Sequence, residues 1–204
     1  MKIFLVGATG KTGSIFLNRA LDNGHIVTVY VRSPEKIKES HDNLKIIEGS
    51  MLSIESLTNA MQGHNVVISC LGGEANKKSS IISDMTMNIV KAMKTNGIKR
   101  IASIATAGVH DEFSFFTSLI VKVFYKHVIN DHKGAVECIL SNNLDYTIAR
   151  PLSLIDGSLT KEYRCTDKGV PKGGKNISRE DLAYFLLDAI ENDKYMKETV
   201  GLAY

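Results

Sequence analysis

Gly7-Ala8-Thr9-Gly10-Lys11-Thr12-Gly13 decides the fold of this chain. The apolar run Lys2 to Val6 before it suits a buried strand, and Ile15, Leu17, Ala20 and Leu21 after it give a helix one side to bury against a sheet. Strand, glycine turn and helix therefore arrive in the order that a dinucleotide-binding βαβ unit requires. In such a turn Gly7 allows the tight reversal. Gly10 lets backbone amides approach a pyrophosphate with no Cβ in the way, and Gly13 permits close helix-to-strand packing. The phosphates are expected at the helix N-terminus, where unpaired N–H groups and the helix dipole favour negative charge.

Outward from the turn, one punctuation recurs four times: a helical pattern, a Gly or Asn stop, then a β-branched run. Asn23-Gly24 precedes Ile26 to Val31, Gln62-Gly63 precedes Val66 to Ser69, Asn96-Gly97 precedes Arg100 to Ile104, and Asn142-Asn143 precedes Tyr146 to Ala149. Gly and Asn tolerate the left-handed conformation that ends a helix, so each stop also announces the next strand. The alternation predicts an α/β fold: a doubly wound parallel sheet with helices on both faces, a single NAD(P)-binding Rossmann domain over residues 1–204. Ile82, Met85, Ile89 and Met93 mark a buried helical stripe. Ser178 and Asp181 form a capping box ahead of Leu182, Phe185, Leu186, Ala189 and Ile190. Two irregular loops, Gly72 to Ser80 and Asp156 to Lys175, are expected to wall a substrate site. The run Phe113, Phe115, Phe116, Leu119, Ile120, Val123 and Phe124 reads as helix core, with Phe113 and Phe115 as a rim able to receive a planar ring.

The 204 residues are 44% hydrophobic and 23% charged, which suits one globular domain with a substantial core. The net charge of +3 comes without any basic run interleaved with aromatics, so no nucleic-acid partner is expected. Cys70, Cys138 and Cys165 are scattered with no CxxC pair, which predicts neither a metal site nor a disulfide framework but reduced, intracellular thiols. Met1 leads straight into the first strand, and the stretch Phe113 to Phe124 is too short to span a bilayer and contains Lys122. A cytoplasmic protein with no membrane partner is expected.

An NAD-specific unit usually places Asp or Glu about twenty residues past the glycine turn, at the end of the second strand, to hold the ribose 2′-hydroxyl. Here that place belongs to Arg32, with Ser33 beside it, Lys36 one turn beyond and no acid before Glu35. Arg32, Ser33 and Lys36 suit a 2′-phosphate, which a carboxylate would repel. NADP(H) is the expected cofactor.

The segments GATGKTG, VTVYVRSP, NIVKAMKTNGIKRI, NDHKGAVE and LDYTIARPL together resemble the NAD(P)H-binding family of atypical, NmrA-like short-chain dehydrogenases, and within it the flavin reductase and biliverdin-IXβ reductase branch. The resemblance runs over nearly the whole length. It implies that Thr9, Gly10, Lys11 and Thr12 meet the pyrophosphate, Arg32 and Lys36 the 2′-phosphate, and Ser50 with Met51 the adenine. It places Leu71 and Gly72 in the cofactor cleft at the end of the fourth strand and Ile104 and Thr106 at the fifth. Pro151, Leu152 and Ser153 fall at the nicotinamide end. Thr106 keeps a hydroxyl where flavin reductases carry Ser, Ser153 replaces a His of the mammalian-type enzymes, and His132 matches a family His. Ser50 stands where an Asp is common.

Tyrosine-dependent short-chain dehydrogenases use a YxxxK pair, in which the lysine tunes the tyrosine as proton donor. The chain has none: Tyr125, Tyr146, Tyr184 and Tyr195 are followed four residues later by Ile129, Arg150, Asp188 and Thr199. Chemistry that needs a tuned tyrosine is disfavoured. Hydride transfer to a flavin demands less, because the ring delocalises the charge and takes its proton from water. A Ser103, His132 and Asp131 hydrolase arrangement lacks a nucleophile elbow. The expected protein is an NADPH-dependent reductase of FMN, FAD or a similar planar acceptor such as biliverdin or a quinone, a monomer or weak homodimer, with Thr106, Ser153 and His132 shaping catalysis. The competing expectation is a non-catalytic NADP(H)-sensing regulator that acts through a protein partner.

Overall fold

In a computed structural model, described for residues 1–72, 80–109 and 126–204 and for Lys126 by its backbone alone, strands and helices alternate as the punctuation predicts. The order is β1 (Lys2–Val6), α1 (Lys11–Asp22), β2 (Ile26–Val31), a 3-10 turn (Pro34–Lys36), β3 (Leu44–Glu48), α2 (Ile54–Ala60), β4 (Val66–Ser69) and α3 (Ile81–Thr95). It continues with β5 (Arg100–Ile104), α4 (Lys126–Leu140), β6 (Asp145–Pro151), β7 (Leu154–Ile155), β8 (Arg164–Thr166), β9 (Ile177–Ser178), α5 (Arg179–Glu191) and β10 (Glu198–Ala203). Gly24, Gly63, Gly97 and Asn143, the four expected stops, all take left-handed φ values, +78°, +74°, +68° and +47°.

The main sheet runs β3-β2-β1-β4-β5-β6-β10-β8, and every ladder is parallel except the antiparallel pair β10–β8. This is a doubly wound, Rossmann-like sheet. Alternation within β1 splits the core: Ile3 and Leu5 pack with Phe16 and Leu17 of α1 and Phe185 and Leu186 of α5. Phe4 and Val6 face the other way, onto Leu57 of α2, Ile89 and Met93 of α3 and Val136 of α4.

The sequence reading gave no residues for β3 or for β7 to β10, and two of these show why. β3 forms the outer edge with only Leu44 and Ile47 half-buried, so it carries no clean apolar alternation. β8 lies inside the segment Asp156 to Lys175 that was read as irregular. Its Arg164 and Cys165 are exposed, and only pairing to Leu202 and Ala203 makes it a strand. The expected loop Gly72 to Ser80 falls mostly on residues 73–79, and the run Phe113 to Phe124 on residues 110–125. Both lie outside the described residues.

Candidate dinucleotide site

The strand order reverses between β1 and β4, since the chain winds outward from β1 through β2 and β3 on one side and from β4 on the other. A doubly wound sheet opens a crevice at that point, beyond the strands' carboxyl ends. A cleft of about 510 Å³ lies there, lined by Gly7, Thr9 and Gly10 after β1, Tyr30 to Ser33 and Lys36 after β2, Gly49 and Met51 after β3, Cys70 to Gly72 after β4, and Ile81 and Met85 of α3.

The glycine turn has the geometry its sequence foretold. Gly7 sits at φ +80°, and a Cβ there would lie 2.5 Å from the Cys70 carbonyl oxygen. A Cβ on Gly13 would lie 2.2 Å from the Gly7 carbonyl oxygen, so α1 meets β1 closer than any side chain permits. Gly10 is the N-cap of α1 and brings no side-chain hydrogen bond to it. The Gly10 N–H donates to the Gly7 carbonyl at 3.0 Å, which closes the turn. The turn is therefore a backbone cradle at a helix N-terminus, suited to a pyrophosphate.

Arg32 and Lys36 are exposed and, with half-buried Ser33, line the same cleft. Glu35 does not line it. At the expected adenine position, Met51 is buried in the cleft wall, and its carbonyl accepts a hydrogen bond from Asn88 Nδ2 of α3 at 3.0 Å. Ser50 is exposed and turns its Oγ to the Leu52 N–H at 3.2 Å. Lys11, Thr12 and Gly13 belong to the turn without lining the cleft, and Thr12 and Gly13 are buried.

The second half of the expected site lies at β5 and β6. Backbone bonds from Ala105 N–H to the Ala149 carbonyl (2.8 Å) and from Ala107 N–H to the Pro151 carbonyl (3.0 Å) extend the β5–β6 ladder and hold half-buried Thr106 beside Pro151. Ile104 packs against the core, Leu152 is half-buried, and Ser153 is exposed, its carbonyl accepting from the Ile177 N–H at 3.0 Å. None of Ile104, Thr106, Pro151, Leu152 and Ser153 lines the 510 Å³ cleft. His132 does not line it either. It is buried in α4, where burial lowers its pKa against the raising effect of neighbouring Asp131, so the ring is neutral near pH 7. Asp131 itself receives the Ile82 N–H at 3.1 Å, the Ser83 N–H at 2.8 Å and the Ser83 hydroxyl at 2.6 Å, which ties α4 to the start of α3.

Several residues of the site had no motif to announce them. Tyr30 lines the cleft while its hydroxyl donates to Ser56 Oγ at 2.9 Å, and its ring fills the space where a Cβ on Gly49 would stand, 2.1 Å from the Tyr30 oxygen. Cys70 lines the cleft too, and burial pushes its thiol pKa up to about 12, which favours the protonated thiol. The capping box is present, with Ser178 Oγ accepting the Asp181 N–H at 3.0 Å. Asp181 does more than cap. Fully buried, it accepts from the Tyr204 hydroxyl at 2.6 Å, the Thr160 hydroxyl and N–H at 2.8 and 3.0 Å, and the Lys161 N–H at 2.7 Å. Burial acts to raise its pKa, and these donors outweigh burial and hold it below the ordinary value.

The NAD(P)H-binding family matches residues 7–193. Among curated relatives, the photosystem II assembly factor Ycf39 of Synechocystis is 28% identical over 98% of this chain, which spans only 61% of that relative's length. Among solved structures, a short-chain dehydrogenase/reductase of Veillonella parvula in complex with NADP superposes with a TM-score of 0.81 at 21% identity, covering 100% of this chain and 94% of that one. The anaerobillin reductase ChuY of Escherichia coli O157:H7 superposes with a TM-score of 0.84 at 18% identity, covering 100% and 97%.

Proposed function

Because the chain belongs to the NAD(P)H-binding family, with an NmrA-like, atypical short-chain dehydrogenase fold, we propose that it is an NADPH-dependent oxidoreductase that passes hydride to a free flavin or a similar planar acceptor. The observation that carries this reading is the joint placement of the glycine turn and of Arg32, Ser33 and Lys36 in one cleft, with no carboxylate among the described residues that line it. Two cations and a hydroxyl suit a 2′-phosphate, and the backbone cradle at α1 suits the pyrophosphate. When bound, the reduced nicotinamide supplies a hydride and is left oxidised, and the reduced acceptor takes up one proton.

The chain's own part is to position. The α1 N-terminus and Gly10 hold the phosphates, Met51 packs against the adenine, and Leu71 and Gly72 wall the middle of the cleft. Thr106, held next to Pro151 by the β5–β6 ladder, would offer its hydroxyl to orient the carboxamide or the acceptor, and Ser153 would add a second hydroxyl two residues beyond Pro151. His132, buried in α4 and away from the lining of the described cleft, with its pKa lowered by burial, is left with an indirect part, through the packing of α4. With no YxxxK pair, protonation of the acceptor falls to water, and orientation supplies much of the rate. That the fold also serves an anaerobillin reductase fits a large, flat acceptor.

A second reading, a redox-sensing NADP(H)-binding protein that acts through a partner, draws on the relative named as an assembly factor. A panel of FMN, FAD, biliverdin and quinones, tested with NADPH and NADH by the loss of reduced-cofactor absorbance, separates the two. Faster NADPH oxidation with at least one acceptor is expected. No acceleration by any of them, together with equal affinity for oxidised and reduced cofactor and a co-purifying protein, overturns the enzyme reading.

A further inference from the structure

Tyr30 stands in β2 two residues before Arg32 and lines the same cleft, although only 2% of it reaches solvent. Its ring packs at a tilt on Phe4 of β1, with centroids 5.8 Å apart, and its phenol end runs across to the neighbouring strand. There it passes over Gly49, just beyond β3, where a Cβ would lie 2.1 Å from the phenol oxygen and 2.2 Å from the ring carbon that carries it. Past Gly49 the hydroxyl donates to Ser56 Oγ of α2 at 2.9 Å and lies 3.3 Å from the Ser50 carbonyl oxygen. A buried tyrosine hydroxyl needs such partners. Both belong to the stretch that turns from β3 into α2.

That stretch carries Met51, the wall assigned to the adenine, and its main chain is held from three sides. The Gly49 N–H donates to the Val31 carbonyl at 2.9 Å, the Ser53 N–H to the Ser50 carbonyl at 2.9 Å, and Asn88 Nδ2 to the Met51 carbonyl at 3.0 Å. Tyr30 adds a tie of another kind, because its rigid ring spans from the strand of Arg32 to the turn of Met51. Ser56 does not line the cofactor cleft. It opens instead on a separate groove, lined from β3 by Lys45 and Ile47 and from α2 by Glu55 and Asn59. Changing Ser56 therefore alters the bonding of Tyr30 without touching a ligand in the cleft.

We propose that Tyr30 is a positioning residue for the adenosine end of the cofactor: with its ring over Gly49 and its hydroxyl on Ser56 and Ser50, it sets the separation between the 2′-phosphate cations and the Met51 wall. The inference rests on a dinucleotide occupying the cleft. A ligand that must meet Arg32 and Met51 together depends on that separation, whereas one without a 2′-phosphate meets only the second wall. Tyr30 thus governs the preference for NADPH over NADH as well as affinity.

The test titrates the full chain, Tyr30→Phe, Ser56→Ala and the double variant with NADPH, NADH and 2′,5′-ADP, at a temperature where each protein is folded. Tyr30→Phe keeps the ring and loses the hydroxyl, and is expected to weaken NADPH and 2′,5′-ADP alike by about five- to tenfold, the worth of one hydrogen bond. NADH should weaken less, so the preference between the two cofactors narrows. Ser56→Ala is expected to act in the same direction, and the double variant to lose little more than Tyr30→Phe alone, because both changes break one contact. Variants that melt earlier but bind all three ligands as the parent does, equal losses for NADPH and NADH, or fully additive losses in the double variant overturn the positioning role and leave the dinucleotide reading standing. A parent that binds neither NADPH nor 2′,5′-ADP overturns both.

Discussion

At the ends of β1 and β4 the walls of the crevice are backbone, and at the ends of β5 and β6 the expected contacts are side chains. On the first side Gly7 and Gly13 stand where a Cβ would meet carbonyl oxygens at 2.5 and 2.2 Å. On the second side Thr106, Leu152 and Ser153 offer a hydroxyl, a half-buried aliphatic chain and an exposed hydroxyl, and none reaches the described cleft. On the proposed reading, the cofactor half is specified by what the chain must leave out, while the acceptor half is specified by what neighbouring loops add. A site built on forbidden Cβ atoms tolerates almost no variation. One built on loop side chains can change its substrate with the sheet left intact.

Breaking the backbone side should cost most. Gly13→Ala puts a Cβ into the Gly7 carbonyl, and a loss of about 3 kcal/mol in folding stability is expected by urea unfolding, with NADPH binding lost alongside. A fully folded, NADPH-binding Gly13→Ala protein would contradict the claim that the packing of α1 against the turn leaves no room for a Cβ.

The loop side has its own weak point in Asp181. Asp181→Asn removes a buried charge that several donors share, and should cost about 2 kcal/mol at neutral pH. The pH dependence sharpens the comparison. The folded pKa of Asp181 lies below the ordinary 3.8, so its contribution to stability is complete above that value and is lost as pH falls through the lowered folded pKa. Unfolding midpoints measured at stepwise lower pH should fall more steeply for the parent than for Asp181→Asn. Parallel curves would show that the carboxylate is not the group that the donors hold.

The smallest effect belongs to the acceptor side. Thr106→Val deletes one hydroxyl at nearly constant volume and should lower turnover with the best acceptor by roughly fivefold, about 1 kcal/mol, while NADPH affinity stays level. An equal loss in both would move Thr106 to the cofactor half.

The same contrast explains what was legible in the sequence. The glycine turn, the four left-handed stops and Arg32 are local signals, each set by the conformation or charge of a few consecutive residues; the turn and the stops take the backbone conformations these residues favour, and Arg32 lines the cleft. Strand β8 was not legible, because Arg164-Cys165-Thr166 has no apolar period and becomes a strand only by pairing with β10. The packing of Tyr30 over Gly49 joins residues nineteen positions apart through a ring that no spacing rule describes. Asp181 was legible as half of a capping box. Its bonds to Thr160, Lys161 and Tyr204 depend on a loop and a chain end that only the folded sheet brings together.

The central claim is that the cofactor half is built for a 2′-phosphate, and paired titrations of NADPH and NADH against the parent protein and Arg32→Glu address it directly. The parent is expected to prefer NADPH, and Arg32→Glu to weaken NADPH by about 30-fold, the equivalent of about 2 kcal/mol for a charged hydrogen bond, with NADH little changed. NADH binding as tightly as NADPH, with Arg32→Glu altering neither, would contradict it.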